Sequence, residues 1–279
     1  MLTQIKFLTA GESHGMGLLG ILDGIPAELD ISEDYIGHQL KRRQMGYGRG
    51  GRMKIETDHA EIWCGVRHGK TIGAPLGLIV RNKDWKNWTN KMSVTPVQDD
   101  IRKVTLPRPG HADLAGIQKY GFDDIRNVLE RSSARETTMR VALGSICRKL
   151  LEEIGIEVGS RVIEIHNVKD ESSIPDNLMP NQLSEMADTS PVRCIYKDAE
   201  TKMIKIIDDA KKSGDSVGGI FEVIAKGLPY GLGAHTQWDR KLQTRISAMM
   251  MSINAFKAVE IGSGFDGAEK FGSEVHDEI

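Results

Sequence analysis

Between Met139 and Ile154 the apolar residues Met139, Val141, Ala142, Leu143, Ile146, Leu150, Leu151 and Ile154 recur at three- and four-residue intervals. That period predicts a helix with a broad buried face, running to about Gly155. Such a helix needs cover over a wide arc, which favours an α+β or layered α/β fold in which long helices pack between sheets. Just upstream, Ser133 and Glu136 have the spacing of a capping box, in which a hydroxyl and a carboxylate each take one free backbone N–H. Arg131 and Arg135 flank the same helix start. A helix N-terminus carries partial positive charge, so this stretch is a candidate phosphate or carboxylate cradle as well as an ordinary cap.

The chain opens with a predicted strand, Ile5 to Ala10, that runs into the polar turn Gly11-Glu12-Ser13-His14-Gly15. Gly15, Gly17 and Gly20 then interleave with Leu18, Leu19, Ile21 and Leu22. Each glycine costs a helix about 1 kcal/mol, so this segment reads as a tightly packed strand. A helix is expected from Ser32 through the basic run Lys41-Arg42-Arg43, and strands between Lys54 and Val80. The opening pattern returns 203 residues later: Gly11, Ser13, Gly15, Ile21, Gly24, Pro26 and Leu29 recur as Gly214, Ser216, Gly218, Ile224, Gly227, Pro229 and Leu232. Matching glycines and a matching proline imply matching turns, hence an internal pseudo-duplication. Residues 167–191 are expected to be a connecting loop. Further helices are expected from Ala199 to Lys212 and from Trp238 to Ile253, the latter with methionines as core filler.

The 279 residues carry a formal charge of -2, so any anion site must come from local clustering. Lys41 to Lys54 supplies one, with six basic residues, no acidic one and four glycines able to bring the backbone onto a phosphate. A nucleic-acid contact would use the same charges, but only Tyr47 could stack on a base. In Pro107-Arg108-Pro109-Gly110-His111-Ala112-Asp113, two prolines restrict the backbone and favour a positioned Arg108 and His111. Three separated cysteines offer no zinc spacing and fit a reducing, cytoplasmic setting. No apolar run approaches the roughly 20 residues that span a bilayer.

Taken together, these motifs resemble chorismate synthase. The resemblance covers nearly the whole chain, through Gly11 to Gly15, Gly46 to Met53, Arg108 to Asp113 with Lys119-Tyr120, Arg131 to Thr137, Gly214-Asp215-Ser216, Ser252 to Ala255 and Gly262 to Phe265. It implies a β-α-β sandwich in one domain over residues 1–279, assembled as a homotetramer. It also implies a 1,4-trans elimination of phosphate from 5-enolpyruvylshikimate 3-phosphate in the shikimate pathway, dependent on reduced FMN, with NADPH a candidate flavin reductant. By resemblance His14 donates a proton near the departing phosphate, Ser13 helps to place it, and His111 protonates the reduced flavin. Arg131, Ser132, Ser133, Asn254 and Ala255 match the family's FMN contacts. Arg43, Arg49, Arg52, Arg108 and Arg135 would neutralise the substrate's anionic groups, and Arg43 and Arg49 also match its NADP contacts.

The family's pattern continues beyond the Gly272-Ser273-Glu274 region into a further flavin loop and a late carboxylate, whereas this sequence ends at Ile279. It therefore reads as a chain lacking the family's C-terminal part, expected to bind FMN weakly and turn over poorly. The rival readings are an FMN- or phosphate-binding protein without catalysis and a nucleic-acid-binding module built on Lys41 to Lys54. No metal or membrane is called for.

Overall fold

The structure is a computed structural model that describes residues 5–50, 56–98 and 100–276. Two compact units divide at Leu228 and Pro229. In chain order the first unit contains β1 (Lys6–Gly11), β2 (Gly17–Asp23), α1 (Glu33–Gln44), β3 (Ala60–Cys64), the short pair β4 (Val66–Arg67) and β5 (Lys70–Thr71), and β6 (Leu76–Arg81). It continues with α2 (Asp113–Tyr120), α3 (Arg126–Leu129), α4 (Thr137–Glu153), β7 (Glu157–Ile165), β8 (Val168–Lys169), α5 (Pro180–Asp188), α6 (Lys197–Ser213) and β9 (Gly219–Lys226).

One sheet runs β1-β2-β6-β3, antiparallel throughout. Its inner face meets α1 and α4 in a core of Leu18, Leu22, Leu78, Val80, Ile36, Leu40, Met139, Leu143 and Ile146, none more than 2% exposed. Gly20 makes this packing possible, because a Cβ there would lie 2.6 Å from Met139 Cγ. The helix α4 also touches β7, which pairs with β8 and β9 in a second antiparallel sheet. Helix α5 lies on β7, where Gly159 lets the Pro180 carbonyl approach the strand. The mixed α+β architecture with antiparallel sheets agrees with the sequence reading.

Several expectations need adjustment. Residues 167–191 are more than a loop, since they hold β8 and α5. Pro180 occupies the first helical position, where the missing N–H is no loss. The recurrence at 203 residues is partial: β9 falls where β2 predicts a strand, and Gly11, Gly214, Gly24 and Gly227 all take positive φ. The counterpart of β1, however, lies in α6.

The second unit contains a 3-10 turn, Trp238–Arg240, then α7 (Leu242–Met251). None of its described residues is buried, and Met249 is 50% exposed, so these methionines do not fill a core within this unit. A unit this small has little interior in which to place them.

Candidate functional site

The turn between β1 and β2 is held from the segment that follows α3. Ser13 N–H donates to the Glu130 carbonyl at 3.0 Å, and His14 N–H donates to Glu130 Oε2 at 2.8 Å. The imidazole Nδ1 of His14 lies 3.0 Å from both oxygens of the same carboxylate, whose side chain is 1% exposed. The ring stacks on Trp88, with centroids 3.9 Å apart and planes inclined by 21°. Ser133 Oγ donates to Ser13 Oγ at 3.1 Å, joining this turn to the approach to α4.

Asn82 makes the next link. Its amide nitrogen donates to the carbonyls of Glu12 and Gly15, while its oxygen accepts from Arg135 Nε at 3.0 Å. Arg135 is itself buried and pairs through Nη1 with Asp58. The other oxygen of Asp58 accepts from Arg43 Nη1 at 3.2 Å, and Arg43 also reaches Thr137 and the Ala134 carbonyl. Burial pushes the Arg43 guanidinium down to about 10, with Arg135 and Arg49 lowering it further and Asp58 opposing them. It remains charged at neutral pH. Among the described residues Arg135 Nη2 has no hydrogen-bond partner, and Glu56 Oε2 lies 3.7 Å away.

The capping box is only half formed. Ser133 Oγ accepts from Arg135 N–H and caps a short 3-10 turn, Ala134–Glu136, that leads into α4. Glu136 turns elsewhere, accepting from Thr9 Oγ1 at 2.7 Å and pairing with Arg140 at 3.0 Å. Arg131 donates to both the carbonyl and hydroxyl oxygens of Thr9. Those partners outcompete the return bond because Glu136 is buried beside a cation.

Arg108 and His111 form a second cluster around Asp113, at the start of α2. Arg108 grips the carboxylate through Nε at 2.9 Å and Nη2 at 3.0 Å, and adds its own backbone N–H. His111 Nδ1 lies 2.8 Å from Asp113 Oδ1 and 3.0 Å from Arg108 Nη2. The guanidinium and backbone N–H of Arg108 hold Asp113 well below the usual carboxylate range, against burial. Hydrogen bonding to Asp113 raises Arg108, and the charge of Glu130 adds to that shift. The two clusters therefore share an electrostatic neighbour in Glu130.

The structure thus brings Ser13, His14, Arg43, Arg131, Ser133 and Arg135 into one bonded network, with Arg108 and His111 in a second. Ser132 lies between Arg131 and Ser133, its hydroxyl bonded to the Val128 carbonyl at 2.8 Å. Arg49 lines a separate groove of about 720 Å³, with Tyr47, Ile165, Lys211, Ser216 and Phe221. Arg52 lies outside the described residues. Asn254 and Ala255 belong to the second unit, where Ala255 takes a φ of +70°. Sequence reasoning assigned no role to Glu130, Trp88, Asn82 or Asp58. Glu130 had one available signal, its position directly before Arg131.

A sequence model of chorismate synthase matches residues 5–279. The chain belongs to the chorismate synthase family. It is 55% identical over 278 residues to the chorismate synthase of Geobacillus sp. (strain WCH70), covering 99% of this chain and 71% of that protein. The Enterococcus faecalis (strain ATCC 700802 / V583) chorismate synthase is 54% identical with the same coverage. A solved chorismate synthase crystal structure superposes with a TM-score of 0.82 at 44% identity, over 100% of this chain and 75% of that one. The function is chorismate synthesis by a phosphate lyase, within a family that uses reduced FMN and 5-enolpyruvylshikimate 3-phosphate. Among the described residues, no helix is long and apolar enough to cross a membrane.

Proposed function

We propose that the network around the β1–β2 turn is where phosphate leaves 5-enolpyruvylshikimate 3-phosphate. The observation that carries this reading is the convergence of His14, Ser13 and Arg135 through Asn82 and Ser133 at the approach to α4. His14 donates the proton as the C–O bond to phosphate breaks, so a less charged leaving group departs. Ser13 orients that proton. Arg43, Arg49, Arg52, Arg108 and Arg135 neutralise the phosphate and carboxylates of the substrate, and His111, beside Arg108, delivers a proton toward the flavin.

The donor set fits an anionic cofactor. Arg131 is exposed at the helix approach, Ser132 and Ser133 bring hydroxyls to the same place, and Arg135 keeps a buried N–H without a hydrogen-bond partner among the described residues. Arg131, Ser132 and Ser133 would hold FMN. Reduced FMN, when bound, supplies transient electron density for an elimination that changes no net oxidation state. NADPH would reach Arg43 and Arg49 as flavin reductant.

The same reading makes residues 1–279 one chorismate synthase domain with a β-α-β sandwich of two-copy origin, supported by the family match across both units and by the recurring glycine conformations. It also makes the assembly a homotetramer. The activity test is phosphate release from the enolpyruvyl substrate with chemically reduced FMN under anaerobic conditions. His14→Ala is expected to lower kcat by roughly 10²-fold or more, the usual worth of a general acid. Undiminished release by that variant would refute the assignment.

A further inference from the structure

We infer that Glu130 is the positioning residue of the proton donor: its buried carboxylate fixes the hydrogen of His14 on Nδ1, so that the proton exchanged with the departing phosphate is the one on Nε2. This rests on the reading of His14 as the donor. Both carboxylate oxygens lie 3.0 Å from Nδ1, and one also accepts the backbone N–H of His14 at 2.8 Å. The Glu130 carbonyl accepts from Ser13 N–H, so one residue anchors the backbone and the ring of the turn together. A carboxylate offers only acceptors, and the hydrogen bond made by one imidazole nitrogen decides which nitrogen exchanges protons. Arg126 Nη1, 3.7 Å from Glu130 Oε1, balances the buried charge. The stack on Trp88 restrains the ring plane.

In the transfer the Nε2–H bond of the cationic ring breaks and an O–H bond forms on a phosphate oxygen. The neutral ring that remains keeps its Nδ1–H against Glu130. His111 has no comparable assignment, because its Nδ1 faces Arg108 Nη2 and Asp113 Oδ1 at similar distances.

The first test needs neither ligand nor turnover. Long-range proton–nitrogen spectra of the chain labelled with 15N-histidine are expected to show neutral His14 protonated on Nδ1. Finding its proton on Nε2 in the unsubstituted chain overturns the inference. Glu130→Gln keeps the shape but offers a donor as well as an acceptor, and is expected to mix the two tautomers and lower kcat by about 10- to 100-fold while KM stays within about threefold. Glu130→Asp, which keeps the acceptor-only group, is expected to restore the Nδ1–H tautomer and part of kcat. If Glu130→Gln does not fold, the Asp variant and the unsubstituted spectrum decide. If His14→Ala turns over normally, the donor reading itself falls. If His14→Ala is impaired but Glu130→Gln retains parental kcat and tautomer, the role of Glu130 alone is overturned.

Discussion

At the scale of single residues, the charged groups act in sets that sequence composition conceals. Arg43 and Arg135 read as free cations in a list of arginines, yet each faces an oxygen of Asp58. Desolvating two guanidinium groups is costly unless anions accompany them, so a buried arginine implies a buried partner that no local spacing reveals. Arg108 and His111 were legible because two prolines and a glycine bracket them. Their anchor, Asp113, is the last residue of that same motif, but its role depends on the chain turning into α2. Its carboxyl is harder to protonate folded than unfolded, so its stabilisation is complete above the unfolded value of about 4 and is lost as pH falls toward the folded one. Asp113→Asn is therefore expected to cost about 1–3 kcal/mol at pH 7, with the gap from the parent narrowing as acid melts are taken below pH 4. Paired thermal melts at pH 7 and pH 3 check this, and an equal gap at both would contradict it.

At the scale of elements, hydrophobic period was the reliable guide. It located α1, α4 and the glycine-paced strand β2, in which Gly20 is explained by the helix packed on it and Gly17 by the close backbone of β6. It missed α2 and α5, because eight- and nine-residue helices show few turns of pattern and α5 begins inside a polar, proline-bearing stretch. Two glycine substitutions separate soft packing from hard. A Cβ at Gly20 meets the flexible Met139 side chain, whereas one at Gly159 meets the backbone of Pro180. Gly20→Ala is expected to lose about 1–3 kcal/mol of unfolding free energy, the usual range for overpacking, and Gly159→Ala to lose more because a backbone cannot rotate aside. Urea denaturation of both variants measures the order, and the reverse order would show that α4 is held more rigidly than α5.

At the scale of the whole molecule, the outer face of the four-stranded sheet is as informative as the core. Leu8 and Ile21 sit opposite each other across β1 and β2 and are 73% and 50% exposed, with Leu19 beside them at 49%. An apolar sheet face of this kind marks a contact surface, and a second copy of the chain is the occupant that the proposed tetramer supplies. Ile21→Lys is expected to leave the fold intact and to yield species smaller than the tetramer proposed for the parent by light scattering. A parent chain that is monomeric at micromolar concentration would remove the assembly itself. The alternation of β2 displayed this face in the sequence, but only the exposures of Leu8, Leu19 and Ile21 show that these side chains stay largely uncovered among the described residues.

Because Trp88 lies flat against His14, the proposed donor carries an optical neighbour. A charged imidazole and a neutral one perturb an indole excited state differently at 3.9 Å. The emission of Trp88 is therefore expected to report on the His14 ring packed against it, with no added dye, once the other three tryptophans are replaced.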